Sequence, residues 1–445
     1  MVSLSSTRRP AGLFPRLLVT ALILAAAIGS TLPKAFAGEV PLTLAEAQRR
    51  AIERSRQLSA KDHSILASRE MAVAAGQLPD AVLKAGIDNL PVSGQDKFSL
   101  TKDFMTMRRI GIMQEFTRSD KRILRANRLN QTAEKTIAEK DVTAAAIERD
   151  TALAWLDLYY VQKMAAIVEE QGSQAKLEIQ AADGAYRSGR GSQAEVFASR
   201  SAVASFEDRS SEYRRRVLNA KTQLARWVGI GAGLPLAGKP DTDVIRLDPA
   251  SLDSQLAHHP DIAVFSKQVE IAETDARLAQ ANKKSDWTVE VAYQQRGPAY
   301  SNMASIGVSI PLQWDQKNRQ DREISSKLAA IEQAKDERDE MLRDHVAQTK
   351  IMINEWENDR ERSARYERDI VPLAQRRTLA GIAAYSGGKA LLADVLSARR
   401  NEIDVRLQAL QLQADTARLW AQLNFLLPTG AGFSHSEMDS RKDLK

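Results

Sequence analysis

The sequence predicts a mainly α chain with a small β part, laid out as an internal duplication. Three observations carry this. Ala185-Tyr186, Gly189, Ala194-Glu195-Val196 and Arg200 recur as Ala384-Tyr385, Gly388, Ala393-Asp394-Val395 and Arg399, at a constant offset of 199 (384 − 185). Apolar residues three or four apart run through long stretches, as in Leu153, Leu156, Tyr160, Met164 and Ile167. Each half also holds two short segments that alternate apolar and polar residues, which is the period of a strand.

The N-terminus reads as an export signal. Arg8, Arg9 and Arg16 precede or open the apolar run Leu17–Ile28, and Ala35-Phe36-Ala37 is a small-residue cleavage site. We therefore expect residues 1–37 to be a signal peptide. The run is too short to span a membrane as a helix. The leader carries four basic residues and no acid, so 63 less four leaves 59 basic against 57 acidic residues. A net charge of +2 gives no reason to expect nucleic acid. With no cysteine in the chain, no disulfide or thiolate metal site can form, and packing must hold the exported fold together.

The first repeat is expected over 38–229. A helix opens at Leu42-Thr43-Leu44, where Thr43 can cap it, and runs to about Gln77. Strands follow around Leu83, Ala85 and Ile87, and around Ile110, Ile112 and Phe116. Two very long helices complete the repeat, at about 121–186 and 192–228. A Gly/Pro-rich linker, 230–248, leads to the second repeat, 249–428, whose first helix should open after Asp248-Pro249. Its strands place Trp287, Val289, Val291 and Tyr293, then Ile306, Val308, Ile310 and Leu312, on one apolar face. Its long helices are expected at 316–385 and 391–427, and 429–445 should be a flexible tail.

Strands of this length can each cross an outer membrane, but four are too few to close a barrel. An open edge cannot exist in lipid, so several copies must pool their strands. Two copies give eight strands, whose side chains fill the interior, whereas three give twelve and leave a bore. The competing reading is a soluble periplasmic coiled-coil interaction protein, which needs no strands with an oily face.

The opening Leu42-Thr43-Leu44-Ala45-Glu46-Ala47, the duplicated order of strands and long helices, and the repeated Ala-Tyr, Gly and Ala-(Asp/Glu)-Val elements resemble the TolC-like outer-membrane efflux family, the outer-membrane factors of tripartite efflux pumps. The resemblance spans about Leu42 to Pro428. It implies a trimeric outer-membrane β-barrel, four strands per chain, continuous with a long periplasmic α-helical barrel. The implied partners are two further copies in a homotrimer, outer-membrane lipid, a periplasmic adaptor (membrane fusion protein) and an inner-membrane RND-type pump. It also implies no enzymatic activity and no cofactor. Gly189, Gly191, Gly387 and Gly388 would shape the hairpin tips that meet the adaptor. Asp394 and Tyr385 would sit at a pore constriction, and Ser397 replaces a second aspartate of the family. Within the family, Asp88-Asn89-Leu90-Pro91 and the run Asp103–Gly111 resemble the heavy-metal branch. Ducts for drugs or for one-step (type I) protein secretion share this design and differ in partners.

Two side-chain sets invite a metal reading. Met105, Met107 and Met113 share a strand parity opposite to Ile110 and Ile112, and thioethers suit soft monovalent cations. Gap-filling between strands accounts for them as well. His258-His259-Pro260-Asp261 reads as a helix entry, with Pro260 in the first turn, because adjacent histidines point apart. Gly189-Arg190-Gly191 lacks the Gly-Lys-Ser/Thr of a phosphate loop.

Overall fold

The computed structural model describes residues 41–189 and 191–427. The expected signal peptide and flexible tail lie outside the described residues. Two short helices, α1 (Leu44–Arg54) and α2 (Arg56–Ala75), lead into strands β1 (Val82–Asp88) and β2 (Met107–Phe116). Helices α3 (Ser119–Arg187) and α4 (Gln193–Val228) follow. The second half opens with α5 (Leu252–Leu256) and α6 (Pro260–Asn282), then β3 (Trp287–Gln295) and β4 (Met303–Ser309). It closes with α7 (Gln320–Arg365), α8 (Val371–Ser386) and α9 (Leu392–Asn424).

Thr43 caps the first helix, its hydroxyl accepting from the Glu46 amide at 3.2 Å. The single helix expected to Gln77 is broken at Ser55, which is extended at φ −65°, ψ 114° and caps α2 through the Leu58 amide. Asp248 accepts from the Ala250 amide and the Ser251 hydroxyl. That start yields only a 3₁₀ turn and the short α5 before the chain breaks again and resumes at Pro260.

At 69 residues, α3 is about 100 Å long. It is the central post of two helical layers. Near the sheet the packing order is α2, α3, α6, α7, and towards the hairpin tips it is α4, α3, α9, α8. The sheet repeats the upper order as β1-β2-β3-β4, antiparallel throughout. Each layer is therefore a row of four with two unpartnered ends. The core is strung out to match. A large cluster at mid-height joins α3, α4, α7 and α9, and a small one around Ala182, Val196, Leu392 and Val395 lies below it near the tips.

Residues 235–246 run across the outside of the mid-height cluster as a strap. The Leu42 amide donates to Pro235 O at 2.8 Å, and the Ala237 amide to Leu42 O at 3.3 Å. Three indoles hold the strap and Leu42 beside it: Trp155 donates to Leu42 O (3.0 Å), Trp356 to Thr242 O (3.1 Å) and Trp420 to Val244 O (2.9 Å). Asn424 Oδ1 accepts from the Arg246 amide at 2.9 Å. What composition marks as a linker is a girdle whose backbone accepts hydrogen bonds from, and donates one to, side chains of α7 and α9, while α3 holds Leu42 beside it.

The long helix expected over 316–385 contains a π turn at Tyr366–Ile370, where the Val371 amide donates to Tyr366 O. Pro372 follows directly and has no amide to donate, so the ladder gains a residue there and resumes as α8.

Candidate functional site

The sheet separates two chemistries. Register places Ile110 opposite Ala85 and Tyr293, Ile112 opposite Leu83 and Val291, and Val289 opposite Val308. With Ile306 and Ile87 these form one apolar face, most of it exposed, Ile306 at 78%. Phe116 and Trp287 stack at the helix-proximal end of that face, with ring centroids 4.5 Å apart. Of the residues assigned to the face, Trp287, Val289, Val291, Tyr293, Ile306 and Val308 lie on strands. Ile310 and Leu312 lie past the hydrogen-bonded end of β4, which stops at Ser309.

The opposite face is charged. Lys84 Nζ lies 2.7 Å from Glu290 Oε2, Arg109 pairs with the same carboxylate, and Asp88 is 3.8 Å from Arg109. An oily face this extensive is unfavourable in water, and a charged one is unfavourable in lipid. The two together fit a sheet wrapped around water inside a membrane. No helix among the described residues is long and apolar enough to cross one.

Lys121, on α3, has a side chain only 5% exposed and pairs with Asp286 at 2.8 Å. Asp286 also accepts from the Arg118 amide at 2.9 Å. This carboxylate fastens the start of β3 to the start of α3, at the joint between sheet and helices. Asp80, its mate in the repeat, is exposed.

At the tips, Gly189 and Gly388 have φ of +72° and +71°, which only glycine adopts freely. The Gly388 amide donates to Tyr385 O and the Lys389 amide to Ala384 O, closing α8 in a Schellman motif. The first tip is its near copy, with bonds from Gly189 to Tyr186 O and from Gly191 to Ala185 O. A Cβ on Gly191 would come within 3.1 Å of Ala185 Cβ and Tyr186 N. Gly387, at φ −83°, has no such requirement. Ser192 and Glu195 form a reciprocal capping box on α4. In the second tip Asp394 takes the place of Glu195, its exposed carboxylate accepting from the Leu391 amide at 3.2 Å. Asp394 therefore has a capping role, which the sequence reading did not assign to it. Tyr385 is half-buried and packs on the small cluster of Ala182, Val196, Leu392 and Val395.

The methionine set does not assemble. Met105 lies in the β1–β2 loop and not on the strand, which corrects its parity. Met107 and Met113 share the charged face but stand six residues, about 20 Å, apart along β2. No single cation can reach both. The loop itself is built by the residues that carry the branch resemblance. Asp103 Oδ1 accepts from the amides of Met105 and Thr106, and the Thr106 hydroxyl donates to Asn89 O. Asn89 adopts φ +56° there.

The histidine segment does assemble, with a partner that the sequence reading missed. Pro260 opens α6 as expected, and His259 Nδ1 caps it by accepting from the Asp261 amide. His345 comes from α7, so its ring lies 4.7 Å from that of His259 although 86 residues (345 − 259) separate them. Only the tertiary packing of α6 on α7 could reveal this pair.

No family model matches the sequence. The chain is 24% identical over 302 residues to the cobalt-zinc-cadmium resistance protein CzcC of Cupriavidus metallidurans, a match that covers 66% of this chain and 70% of that protein. Among solved structures it is similar to the outer membrane protein VceC of Vibrio cholerae, with a TM-score of 0.69, 18% identity, and coverage of 86% of this chain and 95% of that one. It is similar to CusC, a protein that forms a transmembrane channel, with a TM-score of 0.72, 15% identity, and coverage of 86% and 92%. The open-state outer membrane channel MtrE of Neisseria gonorrhoeae gives a TM-score of 0.67 at 13% identity, covering 86% and 88%. The likeness to TolC-like outer-membrane channels read from the sequence holds at the level of the fold.

Proposed function

We propose that this chain is the outer-membrane subunit of a tripartite efflux system, a passive exit duct for heavy-metal cations and not an enzyme. It sits in the outer membrane and extends into the periplasm as a helical tube. One observation carries the reading: a four-stranded sheet, open at both edges, with an oily face on one side and a charged face on the other. The cargo assignment follows the kinship with the cobalt-zinc-cadmium resistance protein. In this scheme an inner-membrane RND-type pump delivers the cation through a periplasmic adaptor, which meets the glycine-containing tips.

Three copies would close the sheet into twelve strands, and the internal repeat sets the register of the seam. Within the chain Gly111 on β2 faces Ala292 on β3, and a Cβ on that glycine would lie 2.7 Å from Ala292 Cβ. At the repeat offsets of 196 (307 − 111) and 206 (292 − 86), these two positions become Gly307 on β4 and Gly86 on β1. Neither has anything within 4 Å of where a Cβ would be. Placing β4 against β1 of the next subunit as β2 sits against β3 sets Gly307 opposite Gly86, Ile306 opposite Ile87 and Val308 opposite Ala85. The oily face then continues unbroken across the seam.

The chain has no cysteine, so the seam can be tested directly. A Gly86→Cys/Gly307→Cys double variant is expected to give covalent trimers on oxidation in the outer membrane, seen on a reducing versus non-reducing denaturing gel. Each single variant should stay monomeric on the same gel. A double variant that runs as monomer despite full oxidation would show that the strands do not close this way.

Asp394 is the proposed charged residue of the constriction, with Tyr385 beside it. Three carboxylates around a narrow bore concentrate cations and repel one another. Since the carboxylate also caps α9, Asp394→Asn is the informative change, because the amide oxygen can still accept from Leu391. Higher single-channel conductance and weaker block by multivalent cations are expected. Block identical to the parent would remove Asp394 from the pore.

A further inference from the structure

The three groups His259, Asp261 and His345 line a cavity of about 480 Å³ between α3, α6, α7 and the end of α9. Their ligand atoms all lie within 4.8 Å of one another. Asp261 Oδ2 is 3.5 Å from His259 Nδ1 and 3.6 Å from His345 Nε2. Donors at ordinary zinc–nitrogen and zinc–oxygen lengths around a tetrahedral ion stand about 3.3–3.4 Å apart. Two of the three separations are thus near their bound values in the empty site, and a small turn of the His345 ring would close the third. His259 is fixed by burial and Asp261 by the first turn of α6, so two of the three ligands are already held in place.

We infer that His259, Asp261 and His345 form a binding site for a borderline divalent transition cation such as Zn²⁺ or Co²⁺, with one coordination position left to water from the cavity. Two imidazoles and a carboxylate suit such ions, whereas soft monovalent cations take thiolates and thioethers. The ion would take over the His259 Nδ1 lone pair that now accepts from the Asp261 amide. The other ring nitrogen, Nε2, is buried without a hydrogen bond, which is where an outer-shell partner of a liganding histidine belongs. Arg149, the arginine among the residues that line the cavity, is paired with Asp150 at 3.0 Å.

Such an ion would pin the entry of α6 to α7. It would lie in the subunit wall and be a resident of the protein, whatever cargo the duct carries, so the inference does not depend on the substrate proposed above.

The test uses the full chain purified in detergent, stripped with a chelator and titrated with Co²⁺ as a visible probe, then with Zn²⁺ in competition. One Co²⁺ per chain is expected, displaced by Zn²⁺, with Zn²⁺ also raising the Tm of the stripped protein. His345→Ala and Asp261→Asn should each weaken Co²⁺ binding at least tenfold and abolish the Zn²⁺-dependent rise in Tm, with circular dichroism unchanged. The triple Met105→Leu/Met107→Leu/Met113→Leu variant should bind as the parent does. Absence of stoichiometric Co²⁺ in the parent, or equal affinity in a folded His345→Ala variant, would overturn the site. Should one variant fail to fold, the other and the Zn²⁺ effect on the parent's Tm still decide the matter.

Discussion

Trp155→Ala is expected to destabilise the subunit by about 3–5 kcal/mol, the range for truncating a buried aromatic. Trp155 is fully buried in the mid-height cluster and stacks on Tyr159 with centroids 5.4 Å apart. Its loss opens a cavity among helices that meet only along narrow seams, so there is little around it to collapse inward. It also takes from the Leu42 carbonyl its indole donor, leaving it the Ala237 amide at 3.3 Å. Trp155→Phe separates the two costs: the ring mostly remains and the donor goes, for about 0.5–1.5 kcal/mol because Leu42 O keeps the Ala237 amide. Denaturant unfolding followed by tryptophan fluorescence and by circular dichroism would rank the two. Limited proteolysis should cut residues 235–246 first in the alanine variant. An alanine variant as stable as the phenylalanine one would mean that the cluster is not packed as described.

Asp286→Ala should cost about as much, roughly 3–5 kcal/mol, for a different reason. The change removes a side chain that is itself partly exposed, but it leaves the Lys121 ammonium buried with no counter-charge. The Arg118 amide loses its acceptor at the same time. The diagnostic is the double variant Lys121→Met/Asp286→Ala, which should recover most of the loss because no orphan charge remains. A double-mutant cycle on thermal unfolding gives the coupling. Additive losses would show that the pair is not an isolated buried contact. Since the pair sits where sheet meets helix, the single variant should also yield less of the proposed membrane-inserted trimer than its stability alone would suggest.

Much of the fold was legible because long elements repeat a pattern many times. Period-2 alternation in Trp287–Tyr293 and Ile306–Val308 fixed which face of the sheet is oily, since a slip of one residue would turn the whole strand over. Glycines at the tips marked the ends of α3 and α8 to within a residue or two. Single-residue events were harder. Ser55 interrupts a helical pattern with no Gly or Pro to announce it. Pro372 stands inside the stretch read as one helix and was a visible signal for the π turn, since a proline there must cost the ladder a donor. The strap was hidden because its stabilising donors are indoles from two distant helices, Trp356 on α7 and Trp420 on α9. At the candidate sites the same division holds. Asp394 was placed by repeat position, yet its bond to the Leu391 amide needed coordinates. The contact of His259 with His345 depended on the packing of α6 against α7, which no local pattern encodes. Met105 was misplaced because the parity of a strand was carried into a loop.

The π turn has one more consequence. The first half crosses the mid-height level in α3 as an unbroken rod, while the second half crosses it through a turn that holds an extra residue. A rod resists bending along its whole length, whereas a helix with one slack turn concentrates flexure there. The two hairpins of a subunit are therefore mechanically unequal despite their common ancestry. In the proposed tube, any widening at the hairpin tips that keeps the helices intact would be borne by α8 swinging below Tyr366–Ile370, with α3 standing still as its fulcrum.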